Sequence, residues 1–131
     1  MAIDRGRLHS IVAAAALVGC LGCSGTNHTP PPAADPAAAR AALEKALGCW
    51  QMRITPAQLQ ESEPAITVAD EDWSEGRRLL EYQLLADEQA WGTSIRWPVR
   101  LKLVLSDGRE QSLDVLYVIS TNPIIHISRR D

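Results

Sequence analysis

His126, Tyr82, Tyr117 and Asp114 are the side chains whose types suit acid–base work in this chain. His126 is the lone histidine of residues 35–131, and in a pocket with Asp114, Tyr82 or Tyr117 it would serve as a general base. A histidine at the surface of a strand is the plainer account. Asp70, Glu71 and Asp72 offer the oxygen ligands that a hard cation takes, but they lack the spacing and glycine of a calcium loop. Capping of a short helix and solvation explain them without a metal. Arg96, Arg100 and Lys102 share one face of a strand and would meet an acidic ligand, although any exposed antiparallel sheet with polar alternation yields the same stripe. Trp50, Trp73, Trp97, Tyr82 and Tyr117 would line an apolar pocket if they converged. The chain has no Phe, however, so these rings are also needed to fill the core. Trp91, in Gln89-Ala90-Trp91-Gly92-Thr93, falls in a loop between strands, where exposure would mark a partner site.

The elements that position these groups are legible from capping signals and periodicity. Asp35 is a good N-cap and Pro36 suits the first helical position, so residues 37–50, rich in Ala, Leu, Glu and Lys, read as a helix. Ala39, Leu43, Ala46, Leu47 and Trp50 give it one apolar face, and Gly48 weakens its last turn. Thr55-Pro56-Ala57-Gln58 repeats the start signal with a capping box, and Pro64 keeps this second helix short. The period then changes to two. Ile66 and Val68 imply a brief strand, and residues 70–76 a turn or single helical turn. Leu80, Tyr82 and Leu84 alternate with polar residues as a half-buried strand. Ile95, Trp97, Val99, Leu101, Leu103 and Leu105 form the cleanest strand signal, with Pro98 implying an edge position or a bulge. Asp107-Gly108 turns the chain into a returning strand carrying Leu113, Val115, Tyr117 and Ile119. After Asn122-Pro123, Ile125 and Ile127 close a last strand before the charged terminus Arg129-Arg130-Asp131.

The first residues have a different logic. Arg5 and Arg7 precede an uncharged, Ala-rich run over residues 10–19, which gives way to Gly22, Cys23, Ser24 and Gly25 too early to cross a membrane. That is the pattern of a cleaved signal peptide. Its end, Leu17-Val18-Gly19-Cys20, resembles the lipobox of bacterial lipoproteins. The resemblance implies that the Cys20 thiol receives a diacylglycerol, that cleavage leaves Cys20 as the first residue, and that its amine is then acylated. Cys23 is a second, poorer match. Two or three acyl chains anchor permanently where one alone is marginal. Leu21 rather than Asp after the lipidated residue implies, by the family's sorting rule, the outer membrane. The expected location is thus the cell membrane or outer membrane, facing the periplasm or exterior.

Residues 20–34 read as the lipidated cysteine and a Pro-rich linker, which three consecutive prolines stiffen and no apolar period folds. The 14 residues from Leu21 reach at most about 50 Å, and more typically roughly 20 Å. Asn27-His28-Thr29 matches a glycosylation sequon, accidentally so in a bacterial lipoprotein. Residues 35–131 leave 97 for one small domain. Without Asp4, Arg5 and Arg7, the 16 acidic and 13 basic side chains of the chain become 15 and 11. A net charge near −4 argues against a nucleic-acid partner. Cys23 and Cys49 allow one disulfide, or Cys49 is a small buried apolar residue; neither arrangement gives the ligand spacing of structural zinc.

Helix, short helix, short strand and hairpin-linked strands make an α+β order, with the N-terminal and short second helices packed on a curved antiparallel sheet. The helix ending in Trp50, Thr55-Pro56-Ala57-Gln58-Leu59 and the late strand meander resemble the NTF2-like, SnoaL-type (cystatin-like) cone in a shortened form. The reading reached from sequence is a lipid-anchored envelope protein with a non-catalytic binding domain. No cofactor or metal is expected. Its partners are the membrane, through the anchor, and an envelope protein or small ligand. A small hydrolase or isomerase with a pocket near Tyr82, Tyr117 and His126 is the competing reading, and a structural envelope component the third.

Overall fold

The computed structural model describes residues 32–131, so the signal peptide, Cys20, Cys23 and the sequon lie outside the described residues. Helix α1 spans Pro36–Gln51, and the Asp35 carboxylate accepts the Ala37 amide at 3.2 Å as its cap. Its inner face buries Ala39, Leu43, Ala46, Leu47 and Trp50, with Ala42 and Cys49 beside them. Helix α2 is the short Pro56–Gln60. Its capping box is closed in both directions, since Thr55 Oγ1 accepts the Gln58 amide at 3.2 Å and Gln58 Oε1 accepts the Thr55 amide at 2.9 Å. Thr55→Ala removes the Oγ1 that accepts the Gln58 amide while keeping the backbone N–H bonded to Gln58, and is expected to cost about 1 kcal/mol. A downward shift of the urea midpoint at unchanged slope would register it.

Strand β1 (Ile66–Ala69), the single turn α3 (Glu71–Ser74), and strands β2 (Arg78–Leu84), β3 (Gln89–Trp91), β4 (Ser94–Val104), β5 (Glu110–Ser120) and β6 (Ile125–Arg130) complete the chain. They form one curled, half-barrel sheet in the order β1-β6-β5-β4-β2, with β3 also on β4. The sheet is mixed, which corrects the expectation of an antiparallel one: β1 runs parallel to β6, with Ile66 opposite Ile125 and Val68 opposite Ile127. Every other pairing is antiparallel. The parallel pair arises because the long meander from β2 to β5 separates β1 from its partner in sequence, and α3 turns the chain away after Ala69.

Strand β4 is interior, held by β5 along its whole length. Pro98 implied an edge position or a bulge, and the reason it is tolerated in an interior strand lies on the side away from β5. Its carbonyl accepts the Leu85 amide at 2.9 Å, so its ring nitrogen faces the same side, where β2 has ended and β3 has not begun. In β2 the register shifts between Leu79 and Glu81, leaving Leu80 bulged. The inner-facing set is therefore Leu79, Tyr82 and Leu84, and not the simple alternation from Leu80. Leu79 is fully buried opposite Leu103.

Helix α1 lies across the inner face and touches β1, β2, β5 and β6. Beneath it sit Trp97, Val99, Leu101 and Leu103 from β4, Val115, Tyr117 and Ile119 from β5, and Ile127 from β6. Trp50 and Trp73 stack with ring centres 5.3 Å apart and planes 4° from parallel. Each of the three buried indole N–H groups has an acceptor: Trp50 donates to the Arg77 carbonyl at 2.7 Å, Trp73 to the Ile54 carbonyl at 3.0 Å and Trp97 to the Ala86 carbonyl at 2.9 Å. Burying an indole without such a partner would strand a polar group. These rings fill the core.

Candidate functional site

Strand register decides which of the acid–base candidates meet. Tyr117 lies opposite Trp97, and Tyr82 opposite Leu101, so both phenols are on the inner face. His126 lies between Ile125 and Ile127 and opposite Ser120, which puts it on the outer face. His126 thus shares no pocket with the two tyrosines. Asp114 is also on the outer face but six positions along β5 from Ser120, on the order of 20 Å away. Its carboxylate is taken by Arg100 in a two-point pair at 2.8 and 3.1 Å. That pair holds the Asp114 carboxyl below its ordinary range.

The structure assembles a different titratable cluster. Asp70 and Asp72 belong to α3, Tyr117 to β5 and Arg129 to β6, and the one-turn helix exists because Asp70 caps it, accepting the Trp73 amide at 3.3 Å. Its second carboxylate oxygen accepts the Tyr117 phenol at 2.5 Å. Arg129 bonds Asp70 at 3.2 Å, and both Arg129 and Arg77 bond Asp72. Asp70 is completely buried, and Asp72 and Arg129 keep one tenth of their side-chain exposure. Solvation therefore does not explain Asp70 and Asp72, and Arg129 is no part of an exposed charged terminus. Two carboxylates face two guanidinium groups, so the cluster is balanced.

The cluster's electrostatics suit locking better than proton transfer. Burial pushes the Tyr117 phenol well above its usual range, and the adjacent Asp70 charge adds to the rise. For Asp72, burial pulls upward, yet the hydrogen bonds from Arg129 and Arg77 outweigh it and lower the carboxyl. Burial would lower Arg129, but Asp72, Asp131 and Asp70 together raise it. The Tyr117 phenol thus stays protonated, Arg129 stays charged and the Asp72 carboxyl stays ionised, so none of these three changes its charge near neutral pH. Among the described residues, no group of His, Cys, Asp and Glu is arranged to hold a metal ion. Guanidinium groups occupy the place a cation would take beside Asp70 and Asp72.

The outer face is where side chains remain available. The basic stripe of β4 is largely answered: Arg100 by Asp114, Lys102 by Glu110 at 3.3 Å, and Arg96 by Trp91. An open depression of about 430 Å³ wraps the β2 edge of the sheet, lined by Gln51 and Tyr82 and by the outward Glu81, Gln83, Arg100, Lys102 and Ser112. It carries both signs of charge, and its Lys102 is already paired with Glu110 and its Arg100 with Asp114.

Trp91 has the most distinctive setting. It ends β3 rather than sitting in a loop, and its pairing with Ser94 aligns it on the outer face with Gln89 and Arg96. The Arg96 guanidinium lies over its ring at 3.9 Å and bonds Gln89 at 3.2 Å. The Arg96 Nε is buried without a hydrogen-bond partner, as expected for an N–H covered by the indole face. Trp91 nonetheless remains 54% exposed. The indole is thus held in one orientation and left open to a partner.

Comparison with protein-family models, with curated proteins and with solved structures finds no match to this chain. Sequence reasoning placed Trp91 in a loop and singled it out as the aromatic whose exposure would mark a partner site; the structure exposes it, at the end of β3. The same reasoning missed the Asp70–Tyr117–Arg129 cluster, whose members are 47 and 59 positions apart. The one available signal was Arg129, a charged residue in phase with the inward Ile125 and Ile127.

Proposed function

We propose that this chain is a lipid-anchored protein of a bacterial cell envelope whose α+β domain is a non-catalytic binding module. The observation that carries the binding reading is the contrast between two sites: in the titratable cluster the carboxylates of Asp70 and Asp72 are buried and already paired with arginines, whereas Trp91 is fixed by Arg96 and exposed. Enzymes keep perturbed groups where substrate reaches them. An oriented aromatic beside an arginine is instead the composition of contact surfaces. The curled sheet with a long helix across its inner face supports an NTF2-like cone, shortened and filled by Trp50, Trp97 and Tyr117.

The anchor rests on Leu17-Val18-Gly19-Cys20 behind a basic and then apolar leader. Leu21 after the cysteine favours the outer membrane as destination. Intact mass of the membrane-extracted protein, beside a Cys20→Ala variant, tests it. The expected product begins at Cys20 and carries the mass of a diacylglycerol and an acyl chain, and the variant carries neither. A native product without added lipid would overturn the anchor.

A further inference from the structure

We infer that the end of the sheet bearing Trp91 and Ile124 is a contact surface for the lipid bilayer to which the chain is anchored, an inference that rests on lipidation at Cys20. The argument begins with where the described chain starts. The Ala34 amide donates to the Thr93 carbonyl at 2.8 Å, the Asp35 amide to Thr121 Oγ1 at 3.3 Å, and the Asn122 side chain to the Ala33 carbonyl at 3.5 Å. The chain therefore enters the domain across two turns, β3–β4 and β5–β6, at one end of the sheet.

Beside the first of those turns and in the second stand two of the three large apolar side chains that the described residues expose. Trp91 stands two positions before Thr93, and Ile124 two after Asn122; they are 54% and 61% exposed. The third, Met52, follows the far end of α1. Four strands lie between and including β3 and β6, so the two side chains are separated by roughly 14 Å, three strand spacings. Both lie beside the point where the anchor segment arrives, and the intervening Arg96 supplies a cation under the indole.

This is the chemistry of a membrane interface. Tryptophan favours the headgroup level, an aliphatic tip favours the acyl boundary, and an arginine stem covers apolar surface while its head stays wet. With Ala33 and Ala34 held on the domain, Leu21 to Pro32 limits it to about 40 Å from the lipid, so this end of the sheet meets the bilayer without the chain having to double back. Tethering at such lengths gives an effective concentration in roughly the millimolar range, which lets two weak anchors engage. An envelope protein would not require its contact residues to cluster where the anchor enters.

The test uses the full, membrane-extracted protein reconstituted into phosphatidylcholine vesicles with and without bromine on the acyl chains. Trp50, Trp73 and Trp97 are buried, so quenching reports Trp91. Brominated vesicles are expected to quench the wild-type emission, and Trp91→Phe to reduce that quenching about two-fold or more. Ile124→Ser, which leaves every tryptophan in place, is expected to weaken quenching as well. Far-UV circular dichroism checks that both variants fold. Lipid mass present on Cys20 with unquenched emission, or quenching unchanged in Trp91→Phe, overturns the bilayer contact while the anchor stands. Absence of lipid mass overturns the anchor and this inference together.

Discussion

Replacing Arg129 by Met is expected to destabilise the domain by about 3–5 kcal/mol, because it leaves two buried carboxylates to share the single cation Arg77. The methionine fills much of the aliphatic volume, so the loss reports charge more than packing. Removing the pair's other half tests the same idea. Combining Arg129→Met with Asp70→Asn takes away an unpaired charge while keeping the Tyr117 hydrogen bond within reach, and it should recover part of the loss in a double-mutant cycle. The pH dependence supplies a second reading. Asp72 is held below its ordinary value in the folded chain, so the unfolded chain binds more protons as the solution is acidified. Its contribution is complete above the unfolded value and is lost as pH falls through the folded one. Buried carboxylates short of a cation take up protons more readily when folded, so the variant should lose less on acidification. Urea unfolding at a series of pH values from neutral into the carboxylate range should therefore show the gap between wild type and Arg129→Met narrowing. A gap that stayed constant would mean that Arg129 acts through packing alone.

Local signals and long-range ones separate cleanly in this chain. Asp35-Pro36 and Thr55-Pro56-Ala57-Gln58 are complete instructions within four residues, and both caps form as read. The alternation from Ile95 to Leu103 and from Leu113 to Ile119 requires only a neighbouring strand, which Asp107-Gly108 provides with Gly108 at positive φ. The parallel partner of β1 was not legible, because no period in Ile66 to Ala69 distinguishes β6 from any other strand. Nor was the bulge at Leu80, where Leu79 and Leu80 are chemically identical and only the register of β4 chooses between them. The Asp70 cluster is harder still. A capping aspartate and a strand arginine each have a sufficient local explanation, and their meeting depends on the curl of the whole sheet. For the candidate site, Trp91 was legible as an aromatic outside any apolar period. Its fixation by Arg96 was not, since that needs the β3–β4 register.

Trp50→Ala is the second substitution expected to cost about 3–5 kcal/mol, and it probes the opposite end of α1 from the anchor segment. Trp50 is 2% exposed and its ring packs flat on Trp73, so truncation opens a cavity against a neighbour that cannot follow it: Trp73 is itself tied to the Ile54 carbonyl. Trp50→Phe separates the two contributions. It keeps most of the apolar contact but removes the N–H that the Arg77 carbonyl accepts, for an expected loss of about 1–3 kcal/mol. The bond matters beyond its own strength because Arg77 is the residue whose guanidinium pairs with Asp72. Trp50 thereby fixes the backbone of the chain segment that carries one of the cluster's two cations. Coupling follows from that arrangement: Trp50→Phe and Arg77→Met should cost less together than the sum of each alone, as measured by urea unfolding of the four variants in a cycle. Strict additivity would mean that the stacked indoles and the buried ion cluster stabilise the fold independently. Coupling would identify Arg77 as the joint through which the helix end and the sheet edge hold one another.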